Sequence, residues 1–192
     1  MDICEICQKN QASIHLTRDD GTAQEICRDC FNVISAKQMG IELTPFKSGI
    51  YEYPGGNGKM YKFTVAKIVL PMGIGYEATE ITNDNSPGYK VAILDDLDCD
   101  QDYLFYKLEA KIKYTLSEKY LQTNTYPNGI KHTRLKEDEV VGRFEYNETN
   151  DEIHNVVIDG KVFSWEQLGE MLNAYEGFQF KLKIYDITED IR

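Results

Sequence analysis

Residues 4–30 read Cys4-Glu5-Ile6-Cys7-Gln8-Lys9-Asn10-Gln11-Ala12-Ser13-Ile14-His15-Leu16-Thr17-Arg18-Asp19-Asp20-Gly21-Thr22-Ala23-Gln24-Glu25-Ile26-Cys27-Arg28-Asp29-Cys30. Four of the chain's five cysteines fall here as two Cys-x2-Cys pairs, separated by 19 residues. A two-residue spacer lets both thiolates of a pair curl onto one ion, and zinc takes four such soft ligands at about 2.3 Å in a tetrahedron. The intervening segment explains how the pairs meet. Residues 12–17 alternate like a strand, Asp19-Asp20-Gly21-Thr22 is a turn signal, and Ala23-Gln24-Glu25-Ile26 runs back as a second strand. The expectation is a zinc β-hairpin, ribbon- or knuckle-like, holding one structural Zn²⁺ on Cys4, Cys7, Cys27 and Cys30. Four thiolates leave no coordination position for water, which argues for a structural and against a catalytic ion. The rival reading is a pair of redox-active Cys-x2-Cys motifs, but a thioredoxin-like site requires a βαβ setting that the flanking sequence lacks. His15 lies between the pairs and reads as a packing, supporting or partner-facing residue rather than a fifth ligand.

The pattern Cys4-x2-Cys7, Ala12-x-Ile14-His15 and Ile26-Cys27-x2-Cys30 resembles the N-terminal zinc module of the McsA family, bacterial protein-arginine-kinase activators and protease adaptors. The likeness covers about the first 35 residues. It implies a zinc-binding interaction module. It does not carry kinase activation or adaptor function with it, because the further zinc pairs and the helical UvrB/UvrC-like motif of that family are missing. The C-terminal stretch resembles a domain of uncharacterised bacterial proteins, a likeness that implies no activity.

The whole chain has 192 residues, 42% hydrophobic and 28% charged, with 21 Lys+Arg against 32 Asp+Glu for a net charge of −11. These values fit a globular chain with a real core and exclude collagen-like and low-complexity classes. The acidic balance opposes general binding to a phosphate backbone, which needs a basic patch. No apolar run reaches the roughly 20 residues of a membrane span. The N-terminus lacks the basic and apolar regions of a signal peptide. The expected compartment is therefore a reducing cytoplasm, where closely spaced cysteines bind metal.

Beyond the cysteines the sequence reads as α+β: an antiparallel sheet with two main helices. A short helix over 31–39 stops at Gly40, and 41–60 reads as a linker or exposed hairpin loop. The glycine-rich Gly55-Gly56-Asn57-Gly58-Lys59 lacks phosphate-loop spacing. Strands follow at 50–53, 61–70, 75–81 and 89–94. A helix is expected over 101–122, with Leu104, Leu108, Ile112, Leu116 and Tyr120 as its buried stripe. Residues 124–136 read as a polar loop. The last part reads as ββ(β)αβ, with strands at 141–146, 153–158 and 161–163. Its helix starts at Ser164 in a capping box with Gln167, Trp165 is its core anchor, and a half-buried strand closes the chain at Phe178–Tyr185. That strand could pair with another chain, although Lys181 and Lys183 argue against it. The expected organisation is a zinc module over 1–38, an α+β subdomain over 39–125 and a ββαβ C-terminal subdomain over 126–192 that either stands apart from 39–125 or packs with it as one domain.

Five aspartates lie within residues 95–102, but no register satisfies the glycine and glutamate positions of an EF-hand. Capping of the following helix explains them better than a cation. Cys99 sits among them and has no features of a nucleophile. His132 and His154 lack catalytic neighbours in any recognisable motif, and no catalytic residue is assigned. The expected function is a non-enzymatic, zinc-stabilised protein-interaction, adaptor or regulatory protein of bacterial type with a protein partner. Two rival readings are an antitoxin-like or transcriptional regulator, for which a basic helix-turn-helix is missing, and an enzyme of unfamiliar type in the α+β part.

Overall fold

A computed structural model describes residues 2–17, 20–56 and 58–191. Arg18, Asp19 and Asn57 lie outside the described residues, and with them parts of the expected hairpin turn and of the glycine-rich loop. Among the described residues the fold is α+β, with several antiparallel sheets and three α-helices. The N-terminal hairpin pairs β1 (Ile14–Thr17) with β2 (Ala23–Ile26), with Ile14 opposite Ile26 and His15 opposite Glu25. Helix α1 (Arg28–Met39) begins directly at the second cysteine pair. It stops at Gly40, whose left-handed φ of 70° closes the C-terminus as the sequence predicts.

Strands β3 (Gly49–Pro54), β4 (Met60–Leu70), β5 (Gly73–Glu80) and β6 (Lys90–Asp95) form a four-stranded sheet in that order. Along β4 every second residue is buried: Tyr61, Phe63, Val65, Lys67 and Val69. Helix α2 (Gln101–Ser117) follows, and its stripe Leu104, Leu108, Ile112 and Leu116 is fully buried. Asp100 precedes it, and its carboxylate accepts N–H bonds from Asp102 and Tyr103 at 3.1 and 2.9 Å. Asp95 pairs with Lys107 at 2.9 Å. At this end of α2 the acidic cluster thus makes helix-terminal and ion-pair contacts.

The chain divides into two compact units. The first comprises Met1–Tyr51, Thr64–Ala78 and Ala92–Glu109. Its expected linker is an ordered segment. Phe46 meets the rings of Tyr76 and Phe105 edge-on, at 4.9 and 5.2 Å between centroids. Lys67 is buried, yet its ammonium donates to Thr44 O at 2.8 Å and Gln101 Oε1 at 2.7 Å and lies over the rings of Phe46 and Tyr76. Burial pulls the Lys67 pKa below its ordinary value, against the pull of Asp102 and Cys99.

Two hydrogen bonds fasten α1 to the sheet within this unit. Buried Asn32 donates to Lys67 O at 2.7 Å and accepts from the Val69 N–H at 3.2 Å. One amide side chain therefore serves β4 as a neighbouring strand would. Nothing in the local sequence signals this, because the pairing spans 35 residues.

The second unit comprises Glu52–Phe63, Thr79–Val91 and Ala110–Arg192. Here four expectations are corrected, the last of them at Trp165 below. The long helix ends at Ser117, so Tyr120 leaves the stripe. The backbone N–H groups of Tyr120 and Leu121 instead bond the Asp159 carboxylate. The polar loop is a hairpin, β7 (Leu121–Thr125) with β8 (Lys131–Leu135), around a Pro127-Asn128-Gly129 turn. Residues Phe178–Tyr185 form no strand, because no neighbouring segment pairs with them.

The remaining sheet has the order β11 (Lys161–Phe163), β10 (Asn155–Ile158) and β9 (Arg143–Glu145). Helix α3 (Trp165–Leu172) continues as a 3-10 turn to Tyr175. Its capping box is formed as expected: Gln167 N–H donates to Ser164 Oγ at 3.3 Å and Ser164 N–H to Gln167 Oε1 at 2.9 Å. Ser164→Ala should cost about 1 kcal/mol, visible as a lower melting temperature of the chain. Trp165 is not a core anchor. It is 43% exposed and stacks on Phe144, while Met171 is the buried residue of the helix.

Candidate metal centre

The two cysteine pairs reach one point by different local structures. Cys4 and Cys7 lie on a tight turn in which Gln8 N–H donates to Cys4 O at 2.9 Å and Gln8 adopts a left-handed φ of 52°. The turn is tied to the hairpin by Glu5 N–H to Glu25 O at 2.9 Å. Cys27 is the N-cap of α1, and its side chain caps nothing. Cys30 is the third helical residue, so both thiols stand at the positive end of the helix, which favours thiolates.

The four Sγ atoms lie within 4.8 Å of one another. Cys7 Sγ and Cys27 Sγ are 3.8 Å apart. Sulfurs at the corners of a tetrahedron with bonds of about 2.3 Å are about 3.8 Å apart. The donors therefore fit a four-coordinate ion, and the four thiols could hold a metal such as zinc. Among the described residues this is the only such convergence of cysteine, histidine or carboxylate ligands.

The thiols differ in acidity. Burial raises Cys4, but N–H groups of Cys7, Cys27 and Ile6 outweigh it and bring its pKa to about 6. N–H groups of Asn10 and Lys9 lower Cys7. Burial raises Cys27, and it raises Cys30 further together with the neighbouring thiols Cys27, Cys4 and Cys7. The first pair is thus readied for ionisation by backbone donors. The second resists it through burial and the accumulating negative charge. A divalent cation removes that repulsion, so metal binding and deprotonation are one event.

Cys4 and Cys27 share their small core with Ile26, flanked by half-buried Ile14, Leu16, Phe31 and Ile34. His15 stays away from the sulfurs and pairs with Glu25 on the exposed hairpin. Asn10 is a neighbour that the cysteine spacing does not reveal. Its amide lies 3.8 Å from Cys27 Sγ and donates to Asp29 at 3.2 Å, while Ser48 donates to the other Asp29 oxygen at 2.6 Å. This chain of contacts ties the second cysteine pair to the start of β3. Cys99 lies apart from the cluster, and burial followed by the Asp95 charge raises its pKa.

Three family models match successive parts of the chain. They cover residues 3–42, 44–117 and 120–189, and each describes a domain of unknown function, DUF7685, DUF7686 and DUF7713 respectively. The thiol cluster lies entirely within the first match. No curated protein and no solved structure matches the chain.

Proposed function

We propose that this chain is a non-enzymatic protein-interaction module, an adaptor or regulator, whose N-terminal docking element is folded around one structural Zn²⁺. The observation that carries the reading is the convergence of four thiols and no other ligand type. Such a site is closed to substrate and water, so its ion supplies shape rather than chemistry. Two further features support docking. Ile3 and Ile6 on the first knuckle and Val33 on α1 are large apolar side chains left in solvent. The net charge of −11 steers encounter toward basic protein surfaces and away from nucleic acid. The McsA-type resemblance of the hairpin agrees with a zinc-binding interaction module, and with no more of this role than that. The cytoplasm, which keeps thiols reduced, is the compartment in which it would operate.

Elemental analysis of the purified chain tests the metal: one zinc per chain is expected, with none in Cys27→Ser/Cys30→Ser. Quantitative co-purification from host extract tests the docking. The wild-type chain should recover a defined protein set that Ile3→Glu/Ile6→Glu/Val33→Glu loses while keeping its zinc. Recovery of the same set by the zinc-loaded triple variant would overturn the docking role.

A further inference from the structure

The segment Phe178–Tyr185 alternates apolar and polar residues as a half-buried strand does, yet no sheet among the described residues includes it. Phe180 is 92% exposed, and Leu182 and Ile184 are each 68% exposed. Among the described residues no hydrogen bond engages the backbone of 179–185. The segment is nevertheless held at both ends. Phe178 N–H donates to Tyr175 O at 2.9 Å. Beyond it, Lys111 Nζ donates to the carbonyls of Ile187, Thr188 and Glu189 at 3.1, 3.3 and 2.7 Å. The segment thus presents the exposed apolar side chains of Phe178, Phe180, Leu182 and Ile184 and, over 179–185, a run of unpaired amides.

Charge decides what can cover them. In a self-pair of two such strands, the antiparallel registers of greatest overlap that keep the apolar row on one face set Lys181 opposite Lys181 or Lys183, which is unfavourable. The edge strand β9 of the same unit has the complementary character. Residues 137–148 carry Glu137, Asp138, Glu139, Glu145 and Glu148 against Arg143 alone. Val140, Phe144 and Tyr146 are exposed on alternate positions there, and Trp165 extends this strip by its stack on Phe144. β9 ends its three-stranded sheet.

We propose that Phe178–Tyr185 is a docking strand for a second copy of this chain, adding to that copy's β9 edge. Its apolar row covers the Phe144–Trp165 strip, and Lys181 and Lys183 face the acidic flanks. Reciprocal donation closes a two-fold dimer with the same contact made twice. The lysines that disfavour self-pairing thereby select the partner edge.

Light scattering after size exclusion, over low to high micromolar concentration, tests this. The wild-type chain should run at twice its 22.1 kDa. Phe180→Glu/Leu182→Glu, Phe144→Glu and Lys181→Glu/Lys183→Glu should each halve the mass, with zinc content and circular dichroism showing that the folds are kept. Glu137→Lys/Glu139→Lys/Glu148→Lys alone should also be monomeric. Mixed with Lys181→Glu/Lys183→Glu it should restore the dimer, because each strand then meets an edge of opposite charge. A wild-type monomer throughout overturns the proposal. So does a dimer that survives either the strand variants or Phe144→Glu, or a mixture that stays monomeric.

Discussion

Chelation of the metal proposed for the four thiols is expected to unfold the β1–β2 hairpin and the cysteine turns, with loss of amide protection at Glu5 and Ser13, whose N–H groups bond Glu25 O and Ile26 O. The magnitude follows from how little else holds this element. Only Cys4, Ile26 and Cys27 are buried in its core cluster, and two of these three are candidate ligands. Zinc bound by comparable small units contributes about 10–16 kcal/mol of folding energy, as much as the whole stability of a typical domain. The isolated hairpin has four-residue strands and cannot persist alone. Acid should act in the same direction. The metal needs thiolates, so its stabilisation is full at neutral pH and is lost as protons compete at falling pH. The acid midpoint lies well below the ordinary thiol range because the metal itself holds the protons off. Hydrogen exchange with and without chelator, alongside zinc release followed by a colorimetric chelator, reads both effects. Persistent protection at Glu5 and Ser13 in metal-free protein would show that the cysteines are ordinary packed thiols.

The parts legible in the sequence are those whose cause is local. The cysteine spacing, the Gly40 stop, the Ser164–Gln167 box and the i, i+4 stripe of α2 each depend on residues within one or two turns of each other. Each is present in the structure. The misreadings have distant causes. Leu104 to Tyr120 keeps a helical period, but the helix ends at Ser117 where the Asp159 carboxylate, nearly 40 residues on, takes the Tyr120 and Leu121 amides. Trp165 fits an apolar stripe, yet a stripe says only which residues share a face. Here that face is covered around Met171 and left open around Trp165. The alternation of Phe178–Tyr185 likewise states a preference for a sheet, and preference cannot provide the neighbouring strand. At the candidate metal centre the four converging thiols were legible because a Cys-x2-Cys pair is self-contained chemistry. Asn10 was not, because an asparagine three residues past Cys7 is ordinary turn composition until its amide is seen beside Cys27 and Asp29.

Asn32→Ala is expected to be the most damaging single change outside the cysteines. The Asn32 side chain is 4% exposed and satisfies two backbone groups of β4 at once, Lys67 O and Val69 N–H. Alanine leaves both buried without partners. An unmet buried donor or acceptor costs about 1–3 kcal/mol, so the pair costs about 2–5 kcal/mol. For a chain of this size that corresponds to roughly 5–15 °C in its melting temperature. Removing one β4 carbonyl from its partner also disturbs the residue whose side chain lies deepest in polar contacts. Lys67 must keep its ammonium on Thr44 and Gln101, and a displaced backbone lengthens those bonds. Asn32→Asp separates the two contributions. It retains an acceptor for Val69 N–H and turns the second oxygen against Lys67 O, so acceptor faces acceptor in a buried site. Val69 should then exchange slowly relative to its neighbours in Asn32→Asp and rapidly in Asn32→Ala, although both variants melt early. Equal Val69 protection in wild type and Asn32→Ala, with a melting shift under about 2 °C, would mean that α1 is held by its apolar face alone. The proposed metal centre and the asparagine clasp would then be separable, since α1 could leave the sheet edge without the thiol cluster being lost. The two-bond geometry predicts the opposite: Asn32→Ala should loosen α1 and raise the rate of zinc loss from Cys27 and Cys30 at its first turn.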